Sequence, residues 1–246
     1  MIDDKTEAVL RSIFHPALRE SEPKNLPVLQ TQPEFDDLLA LATQLAQDAQ
    51  EEALQQVLVE RPRLLLRSLP SAGDLNLAFL TKPAIGNSFR ADFAVLSSDQ
   101  GGCGIQLIEL ERANDPLFTR ECTPARRLQG AIGQVHDWHQ WITANRSTFI
   151  RDTVSRAMSL PVFPARNDNG SFALKDAEYL EASWRGFGGF ENAHVRYVII
   201  IGRWGLLSRE HRERLVFLNQ ESNSLYSIRT YDQLMRKAFE GPEIFW

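Results

Sequence analysis

The chain is short of positive charge, of cysteine and of long apolar runs. Twenty-seven Lys and Arg face 32 Asp and Glu in 246 residues, a formal net charge of −5. A strongly basic nucleic-acid coat is excluded, so any polyanion has to be held by a local patch. Two cysteines, Cys103 and Cys122, cannot build a four-thiolate zinc site. The start, Met1-Ile2-Asp3-Asp4-Lys5, has neither the positive charge nor the apolar run of a secretory signal. The most apolar stretch, Val198 to Gly202, is far below the ~20 residues of a membrane span. These features predict a cytoplasmic protein with reduced thiols and no membrane partner. G-x-x-x-x-G-K-[ST], H-E-x-x-H and G-x-S-x-G are all missing. What is present is an ordinary globular composition, 43% hydrophobic and 24% charged, long enough to bury a sizeable core.

Thr31 and Glu34 have capping-box spacing before a helix carrying Phe35, Leu38, Leu39, Leu41, Ala42 and Leu45. A second helix, from about Gln50 to Glu60, should stop at Arg61-Pro62. Three strands follow as an antiparallel meander: Leu75 to Thr81, with Leu75, Leu77 and Phe79 on one face, then Phe89 to Leu96 and Gly104 to Glu111. Gly101 to Gly104 reads as the hairpin loop between the last two. The clearest helix runs from Pro124 to Asn145, with Leu128, Ala131, Ile132, Val135, Trp138, His139 and Ile142 at helical spacing. Trp138 reads as a packing anchor and His139 as a core histidine. Residues 145–193 look irregular apart from a short helix at Phe149 to Met158. Val195 to Gly202 reads as a strand covered on both faces. A helix (Leu206 to Asn219), a strand (Ser224 to Ile228) and a helix opened by a Thr230/Gln233 capping box complete the order.

The chemistry lies in FRADFAVL (Phe89 to Leu96) and IQLIELE (Ile105 to Glu111). Residues two apart in a strand share a face, so Glu109 and Glu111 point together and Leu110 points away. If the two strands pair, Asp92 approaches them. Three carboxylates on one sheet face repel one another and lose hydration, which a divalent cation such as Mg²⁺ relieves. Spacing alone favours solvated strand ends over metal chemistry. Arg112, Arg120, Arg126 and Arg127, with Lys82 and Arg90, supply a candidate phosphate-binding rim. Arg203, Arg209, Arg212 and Arg214 form a second cationic group, and Trp184, Phe187 and Phe190 a candidate subunit surface or core packing.

A helix, a three-strand meander bearing Asp and E-x-[KE], and a helix bearing Gln resemble the PD-(D/E)xK nuclease core. More specifically, the chain resembles the Shedu-type antiphage nuclease family. The resemblance rests on EEALQQVLVERPRLL (Glu51 to Leu65), FRADFAVL, IELERANDPLF (Ile108 to Phe118), LQGAIGQVHDWHQWI (Leu128 to Ile142), YVIIIGR (Tyr197 to Arg203) and TYDQL (Thr230 to Leu234). It implies an α/β restriction-endonuclease-like fold, a central mixed sheet flanked by helices, over residues 49–246. A helical N-terminal lead (1–48) and an insertion at about 145–193 complete the expected organisation. It implies a Mg²⁺- or Mn²⁺-dependent DNA endonuclease in antiviral defence, working as a homo-oligomer, dimer or tetramer. Asp92 matches the metal-binding aspartate and Glu109 the glutamate of E-x-K. Gln134 matches a glutamine that places substrate or water. Glu52 matches an acid of the first core helix and a metal ligand, with Glu51 as an equal neighbour. Glu111 departs from the pattern, which usually has Lys there. A Glu serves as ligand or general base, as in the E-x-E sites of some restriction endonucleases of that superfamily. Two readings stay open: a working nuclease, or a degenerate one that binds nucleic acid or a protein without cutting.

Overall fold

The structure, a computed structural model, describes residues 2–14, 33–69, 75–99, 102–186, 192–222 and 225–240. Helices α1 (Asp4–Ile13), α2 (Phe35–Ala46), α3 (Glu51–Glu60) and α4 (Pro62–Ser68) lead into strand β1 (Leu75–Thr81). A small hairpin, β2 (Ala84–Ile85) with β3 (Phe89–Arg90), separates β1 from β4 (Phe93–Asp99) and β5 (Gly102–Leu110). Then come α5 (Arg126–Ala144), α6 (Arg146–Met158), β6 (Phe172–Ala173), α7 (Ala177–Gly186), β7 (His194–Ile200), α8 (Arg209–Glu221), β8 (Tyr226–Arg229) and α9 (Tyr231–Glu240). The six-stranded sheet has the order β6-β1-β4-β5-β7-β8. It is mixed: β6, β1, β4 and β5 pair antiparallel, whereas β5, β7 and β8 pair parallel.

Alternation along the central strands splits the core into two layers, because successive side chains leave opposite faces. Ala94, Leu96, Ile105, Leu107, Tyr197 and Ile199 pack with Leu128, Val135 and Trp138 of α5, Ile150 of α6 and Trp184 of α7. Phe93, Val95, Ile108, Leu110, Val198 and Ile200 pack with Leu41, Leu54, Leu65 and Leu234 of α2, α3, α4 and α9. The result is an α/β fold in which helices cover both faces of the sheet. Strand β7 lies inside it and from Tyr197 on buries both faces, as its near-continuous apolar run predicts; His194 and Arg196 at its start are exposed.

Several expectations change. The capping box of α2 is formed by Glu34 and Asp37, with Glu34 as N-cap; Thr31 lies outside the described residues. Pro62 ends one helix and opens the next, since the first helical position needs no donor. A register shift between Asn76 and Ala78 breaks the alternation of β1. Leu77 therefore faces one core and Phe79 the other. Leu75's side chain lies outside the described residues. The strand expected over Phe89 to Leu96 is two, interrupted at Ala91-Asp92. The hairpin loop after β4 includes residues 100–101, outside the described set, but Asp99 pairs with Gly102 as a hairpin requires.

Residues 145–193 are more regular than expected. They supply α6, α7 and an edge strand, and Trp184 is fully buried. Phe187 and Phe190 lie outside the described residues. His139 is exposed, within 3.5 Å of the Tyr197 hydroxyl, and not in the core. The Thr230/Gln233 capping box forms reciprocally, at 3.0 and 3.3 Å.

Candidate active site

The interruption at Ala91-Asp92 puts Asp92 where β4 begins, against the end of β5. Its backbone N–H donates to the Ile108 carbonyl at 3.0 Å, one step beyond the Phe93–Ile108 pair. Its side chain is 7% exposed. Oδ2 accepts from Leu110 N–H at 2.6 Å, and Oδ1 takes the Lys82 ammonium and, at 3.4 Å, Gln55 of α3. Glu109 and Glu111 leave β5 and the residue after it on the same side; Leu110 between them is buried in the opposite core. Glu109 is 9% and Glu111 8% exposed. The Tyr231 hydroxyl, fully buried at the start of α9, donates to the Glu111 carbonyl at 2.9 Å and ties the end of β5 in place.

The carboxyls perturb one another. Burial, then the charges of Asp92, Glu111 and Glu51, push Glu109 up from the ordinary 4.5 to about 9. Burial and Glu51 push Glu111 to about 7, although Arg127 pulls the other way. Glu51 is itself raised, by burial and then by Asp92. The acid of α3 that reaches the cluster is therefore Glu51; Glu52, the expected ligand, is exposed on the same helix. Nothing in the sequence separates these adjacent residues, because the choice depends on how α3 is rotated against the sheet. Glu111 Oε2 is buried and makes no hydrogen bond; Arg127 Nη1 stands 3.5 Å away as an ion pair. Arg127 is shared with Asp115 at 3.3 Å. Among the described residues, no three His, Cys, Asp or Glu side chains form a ready-made metal cluster.

Two neighbouring clefts open along α5, the first of them beside Glu111. One, of about 550 Å³, is lined by Glu111, Arg126, Arg127, Gly130 and Gln134. The other, of about 510 Å³, shares Gly130 and Gln134 and continues to Arg90, Gly133 and Trp138. Their common wall is one face of α5, where residues three and four apart align. Gly130 and Gly133 leave it low: a Cβ at either would meet no atom within 4 Å. Thus Gln134, Arg90, Arg126 and Arg127 gather around the clefts. Arg112 and Arg120 line neither; Arg112 is half-buried and gives its carbonyl to Gly202 N–H.

The family model described as Shedu protein SduA, C-terminal, matches residues 48–235. The chain belongs to the Shedu family. The match spans the sheet, the acid cluster and α5, and membership of this family points to antiphage defence. No curated protein matches this Shedu chain. Among its described residues, no helix is long and apolar enough to cross a membrane.

The second cationic group of this Shedu chain is occupied internally. Arg203 is buried on Asp232 at 2.8 Å, Arg209 pairs with Glu213 and Arg214 with Glu221, and Arg212 lies over the Trp204 ring.

Proposed function

We propose that this Shedu chain is a divalent-metal-dependent DNA endonuclease of antiphage defence, with Asp92, Glu109 and Glu111 at its centre. One observation carries the reading: four carboxyl groups crowd a strand end beside an open, arginine-lined groove, and two of them hold their protons at raised pH. A stable fold gains nothing from such crowding, so a bound cation is its natural complement. The donor set is all oxygen, which suits Mg²⁺ or Mn²⁺, and Glu111 Oε2 is a buried acceptor lacking a donor. Mg²⁺ needs only one or two carboxylates beside water and phosphate.

Asp92 and Glu109 would hold the ion, with Glu51 in place of Glu52 as the outer acid. When bound, the ion polarises the phosphate and lowers the pKa of water. Leu110 N–H and Gln55 fix the Asp92 carboxylate, and Tyr231 fixes the backbone that carries Glu111. Glu111, titrating near neutrality, accepts the proton of the attacking water. Gln134 orients that water or the substrate from α5. Arg90, Arg126 and Arg127 hold flanking phosphates, and Arg112 and Arg120 contribute at longer range. The low glycine face of α5 lets a nucleic-acid backbone approach the helix closely. A homo-oligomer would place two such grooves on one duplex.

The cations resting on Asp92 and Glu111 favour a second reading, a site that binds without cutting. One assay separates the two. Linear, circular and single-stranded DNA are incubated with protein and Mg²⁺ or Mn²⁺. Nicks or breaks that vanish in Asp92→Ala and Glu109→Ala support the nuclease. Salt-dependent DNA binding with no cleavage supports the alternative, and cleavage that survives both substitutions removes the assigned site.

A further inference from the structure

Lys82 sits where its backbone gains nothing from being lysine. It follows the last residue of β1 with φ +46, a region that favours glycine and tolerates asparagine, and it precedes Pro83. Its N–H donates to the Asp92 carbonyl at 2.8 Å, and Ala91 N–H donates to the Pro83 carbonyl at 3.2 Å. These two bonds close the base of the β2–β3 hairpin and hold residues 82 and 92 side by side. The ammonium turns inward and rests on Asp92 Oδ1. The side chain is nevertheless 47% exposed, against 7% for Asp92, so it reaches both the acids and the solvent. Its field also acts on Glu51 and Glu109, lowering both against the trend of the site.

Phosphodiester hydrolysis adds negative charge to a phosphate already surrounded by carboxylates. A cation fixed within the cluster stabilises that charge where it develops. Position 111, which carries Glu, cannot provide one. Arg127 stands beside Glu111 but is shared with Asp115. Resting on the nuclease reading above, we propose that Lys82 is a catalytic residue, delivering from the end of β1 the ammonium that contacts the scissile phosphate. Asp92 holds this ammonium in store before substrate arrives. The hairpin base sets its reach, and the left-handed backbone is tolerated because it aims the stem at Asp92.

The test compares wild type with Lys82→Asn, Lys82→Arg and Lys82→Gly. Thermal melting checks the fold, single-turnover cleavage of plasmid DNA with Mn²⁺ gives the rate, and calorimetric titration of DNA-free protein gives Mn²⁺ affinity. Asn and Gly both suit the backbone but leave the buried Asp92 carboxylate without its ammonium, so these variants should still melt cooperatively, below the wild-type temperature in metal-free buffer. Cleavage should fall by about 100-fold or more in both, the loss typical when one charge-stabilising donor is removed. Mn²⁺ should bind them at least as tightly as wild type, because a competing cation has left Asp92. Lys82→Arg keeps the charge and should retain cleavage within about tenfold, as its different shape allows. Rate and Mn²⁺ affinity falling together would make Lys82 a prop for Asp92 and overturn the proposal. Cleavage by Lys82→Asn within about threefold of wild type overturns it too, leaving the nuclease reading intact. Wild-type protein that binds Mn²⁺ but cuts no DNA overturns both.

Discussion

Two groups of charge meet the start of α9, one at Asp232 and one through the bond from Tyr231 to the Glu111 carbonyl, and they are built on opposite plans. In one, Arg203 and Asp232 are each 8% exposed and joined at 2.8 Å, with Gly205 N–H on the second carboxylate oxygen. Charge is balanced and donors are matched. In the other, Asp92, Glu109, Glu111 and Glu51 outnumber Lys82 and Arg127, and one buried oxygen has no donor. A balanced pair needs nothing from outside the chain. A surplus of one sign, kept next to an open groove, is stabilised by a partner that the chain itself does not contain.

Breaking the balanced pair should have the largest effect on stability. Asp232→Ala leaves the Arg203 guanidinium buried and unpaired, and should destabilise the fold by about 3–5 kcal/mol in denaturant titration. A loss under about 1 kcal/mol would mean that the pair behaves as an exposed ion pair and does not hold the fold.

The surplus cluster should respond in the opposite direction. Folded Glu109 keeps its proton at pH 8 while the unfolded carboxyl ionises; Glu109→Gln removes that ionisation and should stabilise metal-free protein at pH 8 by about 1–3 kcal/mol. The wild-type pH profile follows from the same difference. Glu109 binds its proton more tightly folded, at about 9, than at its ordinary 4.5. Its contribution to stability is therefore complete below pH 4.5 and is lost progressively as pH rises to about 9. Melting of metal-free protein should fall across that window, more steeply in wild type than in Glu109→Gln, and Mn²⁺ should restore more stability at pH 8 than at pH 5. A flat profile would detach Glu109 from the cluster.

Tyr231→Phe removes one buried hydrogen bond to the Glu111 carbonyl. It should cost about 1 kcal/mol in denaturant titration and slow cleavage more than it weakens DNA binding. Equal losses in both would assign Tyr231 to the fold alone. The smallest effect belongs to the groove. Gly130→Ala meets open space and should stabilise α5 by about 0.5–1 kcal/mol while weakening DNA binding in a filter or gel assay. Unchanged DNA affinity would place the duplex elsewhere.

Much of the architecture was legible because local chemistry decides it. The apolar run of β7, the helical spacing of α5 and the Thr230/Gln233 box depend only on near neighbours in the chain, and each took the expected form. Elements set by distant partners were harder to read. The bulge in β1 depends on how it meets β4, so the face of Phe79 could not be assigned from alternation alone. The strand content of residues 145–193 was missed because two residues of β6 acquire their pairing only from β1. The expected basic rim divided in the same way: Arg126 and Arg127 reach a cleft because they begin α5, whereas Arg120 sits in the preceding loop.

The amino-acid order by itself determined that Glu109 and Glu111 share a side near the end of a strand, because strand geometry repeats every two residues; the break that puts Asp92 at the start of β4 is a feature of the fold. The order also determined that a glutamine and two glycines lie on one helix face, because helical geometry repeats every three to four. Only the tertiary structure decided that Glu51 and not Glu52 joins the acids, that Lys82 at the end of β1 rests on Asp92 across the base of the β2–β3 hairpin, and that Arg203 is spent on Asp232. Those choices depend on helix rotation, on a hairpin base and on burial, and each is settled by packing between segments that the chain order keeps apart.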